Sequence, residues 1–524
     1  MASSSLLPTD PSVLFTTAGM QQFKEYFLGK KSPYGNRITS CQKCFRTSDI
    51  EDVGDDTHLT FLEMLGNFSF GDYFKEEAIK LAYKFLVNNL QLSISQLTVT
   101  VFSGDNEVPR DEEAEKIWNS FGFSKEEGNL RFAGRADNFW GPTGEEGPCG
   151  PTTEIYADGK EIWNLVFNEY FQDKNKKLTP LRQRGVDTGM GLERLAMIAQ
   201  GKSSVYETDL FAPLIDSISD QDEKAKRIIA DHIKSAVFLI AEGILPSNIE
   251  HGYILRRILR RAIRYGKSVD LISLAQKVIE IYEDVYPELK SHQTDILTVI
   301  EKEKEKFAKT LEEGLKQFEK GADAFELYAT YGFPIELTME LAKERGIEID
   351  LEGFNKKFRD HQEVSRAGAQ KKFRGGLADD DTQTVKYHTA THLLLAALRD
   401  VLGPEIYQKG SNITAERLRF DFNYPQRMTD VQIKKVEDLV NQKIKEDILV
   451  EMKEMPKDEA LKIAKVSFEP EKYGEIVKVY QIGDFSIELC GGPHMKKTSE
   501  LGIFKISKEE SSGAGIRRIR AILE

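Results

Sequence analysis

Cysteine is scarce in this chain. Its 524 residues hold four, Cys41, Cys44, Cys149 and Cys490, too few and too scattered for a disulfide scaffold, which points to a reducing compartment. No apolar run approaches the roughly 20 residues a spanning helix requires, and no secretory signal precedes Pro8, so a cytoplasmic protein without a membrane partner is expected. Positive charge is also short: a net charge of -13 and a pI near 5.4 exclude a wholly basic nucleic-acid binder and leave room for a local patch only. The phosphate-cradling Gly-x-x-x-x-Gly-Lys-Ser/Thr loop and the metallopeptidase helix His-Glu-x-x-His are both missing.

What is present falls into three parts, as the length suggests. Up to residue 207, short strand-like runs alternate with turns and occasional helices. Residues 97–102, 153–156 and 162–167 read as strands, and 75–90 and 112–121 as helices with one apolar face. Between them, 55–73 reads as an acidic turn with two apolar arms, a hairpin or strand pair with His58 at its entry. Residues 138–151 form a Gly/Pro loop of the kind that carries function. Cys41-x-x-Cys44 lacks a second pair at zinc-site spacing and reads as two packed or free thiols. The pattern argues for an α+β domain, an antiparallel sheet flanked by helices.

The densest stretch is 186–195, where Asp187, Gly189, Gly191 and Arg194 lead into an apolar helix. Without a Cβ, the glycines can let backbone approach a ligand or take φ > 0, and Arg194 can offer a guanidinium fork to phosphate. On its own the stretch reads equally as a tight turn with a solvated Arg.

From 208 to 373 helical periodicity dominates. Along 253–265, Ile254, Leu255, Ile258, Leu259, Ala262 and Ile263 make an apolar stripe, with Arg256, Arg257, Arg260, Arg261 and Arg264 on the other side. No acid within that segment neutralises them at i+3 or i+4, so docking onto a phosphate backbone is preferred to a solvated basic face. The charged run 301–306 reads as a solvated helix face. A linker of low apolar content, 374–381, marks a boundary, giving domains at 1–207, 208–373 and 374–524.

In the last of these, His388 and His392 stand at i and i+4, and Cys490-Gly-Gly-Pro-His494 follows a strand over 485–489. Three imidazoles and a thiol are a tetrahedral zinc set by ligand type.

With these residues in hand, the chain resembles the alanyl-tRNA synthetases over almost its whole length. Residues 14–20 are similar to the first class II motif, 44–46 with 61–73 to the second and 186–195 to the third. The histidine and cysteine segments resemble the family's editing signature. The resemblance implies a class II catalytic sheet, an all-helical tRNA-recognition domain and an α+β zinc editing domain. It implies ligation of alanine to tRNA(Ala) with ATP and Mg²⁺, and hydrolysis of Ser-tRNA(Ala) and Gly-tRNA(Ala). By carry-over, Arg46, His58 and Arg194 would hold ATP, with Arg46, Asp187 and Arg194 as the catalytic set. Met20, Trp140, Asn164, Asp187 and Gly189 would hold alanine, and Asn248, with Arg256, Arg257, Arg260 and Arg261, would meet tRNA. Zn²⁺ would sit on His388, His392, Cys490 and His494, beside Thr391 and Gln408 as editing residues. The family's coiled coil and C-terminal domain do not follow Ile519, so a monomer with weaker tRNA affinity is expected. Two alternatives stay open from sequence: an editing hydrolase with an inactive synthetase half, and a non-catalytic RNA-binding relative.

Overall fold

Strands β1 (Arg37–Phe45) and β2 (Phe61–Phe70) pair antiparallel, from Arg37 opposite Ser69 to Phe45 opposite Phe61. Residues 61–70 are thus one continuous strand, where the sequence suggested two arms. Gly66 at its middle is no turn: a Cβ there would lie 2.8 Å from the Thr188 carbonyl oxygen, so glycine lets two strands close up. The computed structural model describes residues 1–10, 12–219, 221–359, 382–464, 476–513 and 515–524. The linker expected at 374–381 lies outside the described residues.

The sheet continues through β3 (Leu97–Phe102), β4 (Leu130–Ala133), β5 (Phe139–Trp140), β6 (Gly147–Ala157), β7 (Lys160–Gln172) and β8 (Leu178–Gly191). Its order is β1-β2-β8-β7-β6-β3-β4, with β5 beside β6. Only β3 and β4 run parallel. Helix α1 (Lys75–Tyr83) widens into a π turn over Lys84–Asn89, where one long helix was expected. Helix α2 (Glu112–Ser120) starts where Asp111 accepts from the Ala114 N–H. The stretch 186–191 proves to be the end of β8, and helix α3 (Leu192–Ala199) begins directly after it.

The helical region follows as α4 (Glu223–Ala241), α5 (Glu250–Tyr265), α6 (Leu271–Tyr282), α7 (Gln293–Glu319) and α8 (Ile335–Arg345). It shares one apolar core with the sheet: Phe15, Phe45 and Phe61 pack in the same cluster as Ile229, Phe238, Ile258, Phe307 and Leu341. Phe61 and Phe238 stack with ring centroids 4.0 Å apart. Sheet and helices therefore belong to one compact unit, Met1–Ile349, and the rest to a second, Asp350–Glu524.

In the second unit α9 (Thr382–Leu402) covers a four-stranded sheet built from β9 (Gln408–Ile413), β10 (Leu418–Asn423), β14 (Phe504–Gly513) and β15 (Ile516–Leu523), in the order β14-β15-β10-β9. Helix α10 (Asp430–Lys445) packs with it. A smaller sheet joins β11 (Val450–Pro456), β12 (Ile476–Ile482) and β13 (Ser486–Leu489). Among the described residues no helix is long and apolar enough to cross a membrane.

Candidate active site and metal centre

Strand register builds the first site. Glu154 on β6 stands opposite Asn164 on β7, and Asn164 stands opposite Gly189 on β8. Directly opposed residues share a face, so these three form a row, and Asp187, two residues from Gly189, joins it. The alternate residues Trp163, Leu165 and Met190 enter the core on the other face. The row floors a cavity of about 370 Å³, whose walls include Arg46, Trp140 and Arg194. Neither Gly189 nor Gly191 has positive φ. Gly189 is needed for room instead: a Cβ there would lie 2.8 Å from the Met64 sulfur.

The polar groups of this cavity are incomplete in a consistent way. Asp187 is 5% exposed, and burial alone pushes its carboxyl up to about 7, no cation being there to hold it down. Burial also pushes Glu154 up to about 7, against the Tyr156 hydroxyl that donates to its Oε2 at 2.7 Å. Asn164 Nδ2 donates to Glu154 Oε1 at 3.2 Å, which leaves Asn164 Oδ1 buried without a donor. Trp140 Nε1 is a buried donor without an acceptor. A carboxylate and a carbonyl lacking a cation, near guanidinium groups, fit a small molecule with an ammonium at one end and negative charge at the other.

The two arginines are held by backbone. Arg46 Nε donates to the Thr17 carbonyl at 3.3 Å, and its own N–H to the Thr60 carbonyl at 2.9 Å. Arg194 donates to the Glu161 carbonyl at 3.0 Å and to its carboxylate at 3.3 Å. Seven of the residues singled out from sequence thus meet here: Arg46, Trp140, Asn164, Asp187, Gly189, Gly191 and Arg194. Met20 and His58 are not in the lining. Met20 is buried with the Thr143 hydroxyl on its sulfur, and the His58 ring is committed to the Asp55 carboxylate. Sequence reasoning missed Glu154, Met64 and Glu161. Glu154 had one visible signal, a lone carboxylate in a strand of Thr and Ile.

The arginine helix requires a correction. Helix α5 does not present a free positive stripe, because other elements supply the counter-charges that residues 253–265 lack. Arg260 donates to Glu303 at 2.9 Å, and Arg256 approaches the same carboxylate at 3.5 Å. Arg261, 3% exposed, donates to Glu340 and to the Ile50 carbonyl. Arg264 pairs with Glu340 and Glu344, and Arg257 with Glu51. Glu303, expected on a solvated face, is 4% exposed and is the buried partner of two guanidinium groups. Asn248 is exposed, and its Oδ1 accepts from Arg256.

In the second unit the four expected ligands converge: one ligand atom each of His388, His392, Cys490 and His494 lie within 4.8 Å of one another. Each imidazole is anchored through Nδ1: His388 on the Pro493 carbonyl at 2.9 Å, His392 on Glu488 at 2.8 Å, and His494 near the Thr389 hydroxyl at 3.3 Å. That leaves the Nε2 atoms for the centre, where His388 Nε2 lies 3.3 Å from Cys490 Sγ and His494 Nε2 is buried with no partner. Burial works against the Cys490 thiolate, yet His388 and His392 hold its pKa well below the ordinary thiol value. Donor type, anchored tautomers and an orphaned nitrogen all fit zinc. Thr391 spends its hydroxyl on the Tyr387 carbonyl at 2.8 Å, and Gln408 donates to Ser411 at 3.0 Å. Cys41 and Cys44 are packed thiols in β1, and burial pushes both up to about 12.

Comparison with known proteins adds a separate observation. Residues 1–403 match the family described as tRNA synthetases class II (A), and residues 477–520 match the threonyl and alanyl tRNA synthetase second additional domain. An alanine--tRNA ligase of Borrelia hermsii is 49% identical over 572 aligned positions, spanning 100% of this chain and 96% of that protein. One of Treponema denticola is 49% identical over 576, with the same coverage. One of Dehalococcoides mccartyi is 37% identical and is covered over 78% of its length.

Proposed function

The chain belongs to the alanine–tRNA ligase family, and on that premise we propose how its residues divide the work. The protein is an alanine–tRNA ligase. An alanine carboxylate oxygen attacks the α-phosphorus of ATP and pyrophosphate leaves; the terminal ribose hydroxyl of tRNA(Ala) then attacks the alanyl carbonyl and AMP leaves. The observation that carries the assignment is the buried, cation-free carboxylate of Asp187 in the floor of the cavity. It takes the alanine ammonium, and Asn164 Oδ1 accepts one of its N–H bonds. Gly189 and Met64 set the space beside the methyl group, and Trp140 walls it. Arg46 stabilises charge on the α-phosphate during in-line attack, with Arg194 on the other side of ATP. Mg²⁺ arrives on the phosphates and asks for no cage of protein ligands.

A pocket for a methyl side chain rejects serine or glycine poorly, by roughly 10². The second unit supplies the remedy, hydrolysis of Ser-tRNA(Ala) and Gly-tRNA(Ala), with His388, His392, Cys490 and His494 holding zinc and Thr391 and Gln408 flanking the substrate. Bound there, zinc supplies a fixed positive charge that orients the ester. For tRNA recognition the exposed Asn248 reads the acceptor stem, with Arg256 holding its amide and Arg257 nearby. Arg260 and Arg261 are given a structural role, since one is spent on the buried Glu303 and the other on the half-buried Glu340.

Alanine-dependent ATP–pyrophosphate exchange tests the assignment. Exchange by the purified chain is expected, and its absence in folded protein would overturn the division of roles. The editing reading is tested separately: Cys490→Ala is expected to lose zinc and to stop deacylating Ser-tRNA(Ala). Normal deacylation by that variant would remove the editing site from these residues.

A further inference from the structure

The second unit carries a basic sheet face that neither the ligase chemistry nor the editing residues use. Along β10 and β15 the side chains alternate. Leu418, Phe420, Ile519 and Ala521 enter the core, which puts Arg419, Asp421, Arg518 and Arg520 on the opposite face, with Arg419 directly across from Arg520 and Asp421 across from Arg518. Arg417, just ahead of β10, shares their parity. Across β15, Lys508 of β14 stands opposite Arg520, and Glu510 opposite Arg518.

Two arginines facing each other across a strand pair repel. The acids on this face do not balance the account of charge. Asp421 accepts from Nε and Nη2 of Arg518, at 2.7 and 2.9 Å. Glu510 is taken by Arg520 at 2.9 Å and Lys508 at 2.6 Å. Arg419 reaches Asp421 only at 3.7 Å, and Arg419 Nε and Arg417 Nη1 are buried without a partner. Burial draws the Arg419 pKa down against the pull of Asp421, and the charges of Arg518, Arg417 and Arg520 add to the fall. In a chain of net charge -13, this is a concentration of the minority sign, with unsatisfied donors at its centre. Ile522, of the same parity as Arg518 and Arg520, is one apolar side chain in this row, whereas a protein partner calls for aromatic or aliphatic anchors.

We propose that this face of the β14-β15-β10-β9 sheet docks the phosphate backbone of the tRNA substrate, with Arg417 and Arg419 taking phosphate oxygens. Guanidinium forks suit phosphate, a flat row of cations gives affinity without base reading, and an anion relieves the repulsion among the arginines. The inference rests on the ligase reading for the identity of the RNA.

The test is tRNA(Ala) binding to the full chain by fluorescence anisotropy, from about 50 to 200 mM salt, for the parent and for Arg417→Gln/Arg419→Gln. Roughly tenfold weaker binding is expected at the low end, with a log–log salt slope smaller by about 2, because two phosphate contacts are removed. Unchanged affinity and slope would overturn the proposal. Zinc retention and the thermal transition of the variant report folding, and the milder single variant Arg417→Gln, expected to lower the slope by about 1, serves if the double variant unfolds. If the variants change the oligomeric state in sedimentation and leave tRNA affinity alone, the face contacts protein and the proposal fails. ATP–pyrophosphate exchange on the unsubstituted chain needs no tRNA and reports on the ligase reading independently.

Discussion

Asn164 and Glu154, on neighbouring strands, share one hydrogen bond of 3.2 Å, and that bond decides which end of the Asn164 amide is left for a ligand. With Nδ2 engaged, Oδ1 is the free, buried acceptor. Glu154→Gln removes the bias, because a glutamine amide can either accept from Asn164 Nδ2 or donate to its Oδ1. A rise of roughly tenfold in KM for alanine is expected from the loss of one charge-assisted hydrogen bond, with KM for ATP nearly unchanged. Exchange kinetics in each substrate check it, and an equal rise in both constants would refute the positioning role.

Asp187 makes alanine binding pH-dependent. Its carboxyl titrates near 7, and only the ionised form pairs with an ammonium. Apparent KM for alanine should therefore rise as pH falls, approaching tenfold per unit below about 7, and level off above it. Glu154 titrates in the same range, so the profile of Asp187→Asn separates the two: it should lose most of the dependence. The sign for stability is opposite. The folded value lies above the ordinary 3.8, so the contribution of this group is fully present below about pH 4 and is lost as pH rises through 7.

Lys234 of α4 and Glu193 of α3 form a fully buried ion pair at 3.0 Å. The ammonium lies 4.6 to 5.1 Å from the ring centroids of Phe61, Phe211 and Tyr282. Lys234→Met strands the Glu193 carboxylate in the core. A loss of about 3–5 kcal/mol is expected in the unfolding of the first unit, with much of it recovered by adding Glu193→Leu. Urea titration followed by tryptophan fluorescence reads this, since Trp118, Trp140 and Trp163 all lie in that unit.

Glu488 should tune the metal. It accepts from His392 Nδ1 at 2.8 Å and is itself held by Arg399 at 2.7 Å. Glu488→Gln is expected to weaken zinc binding by 10- to 100-fold, the usual effect of removing such a partner. Competition with a chromophoric chelator measures it, and unchanged affinity would show that Glu488 only fills space.

Local signals were legible where chemistry sits close together along the chain. His388 and His392 share a helix face by spacing alone, and Cys490 and His494 sit four residues apart, so a zinc-type set could be named before its geometry was known. Asp187, Gly189 and Arg194 announced a site in the same way, through motifs dense enough to carry a family resemblance. The sequence could also place β3, the ends or middles of β6 and β7, and the two amphipathic helices beside the sheet, because burial on one face imposes a period of two or of 3.6.

Tertiary structure decided what no local pattern contains. The row Glu154, Asn164 and Gly189 depends on register between three strands, and a slip of one residue would turn each side chain to the other face. Gly189 proved to be a matter of space beside Met64, since backbone conformation there is ordinary extended strand. The arginines of α5 looked unneutralised because their partners Glu51, Glu303, Glu340 and Glu344 arrive from distant segments, and electrostatics acts through space while periodicity acts along the chain. The amino-acid sequence by itself determined which groups were available for ligation and for holding metal; the fold determined which were left unpaired to do it, since burial fixes what a polar atom can still reach.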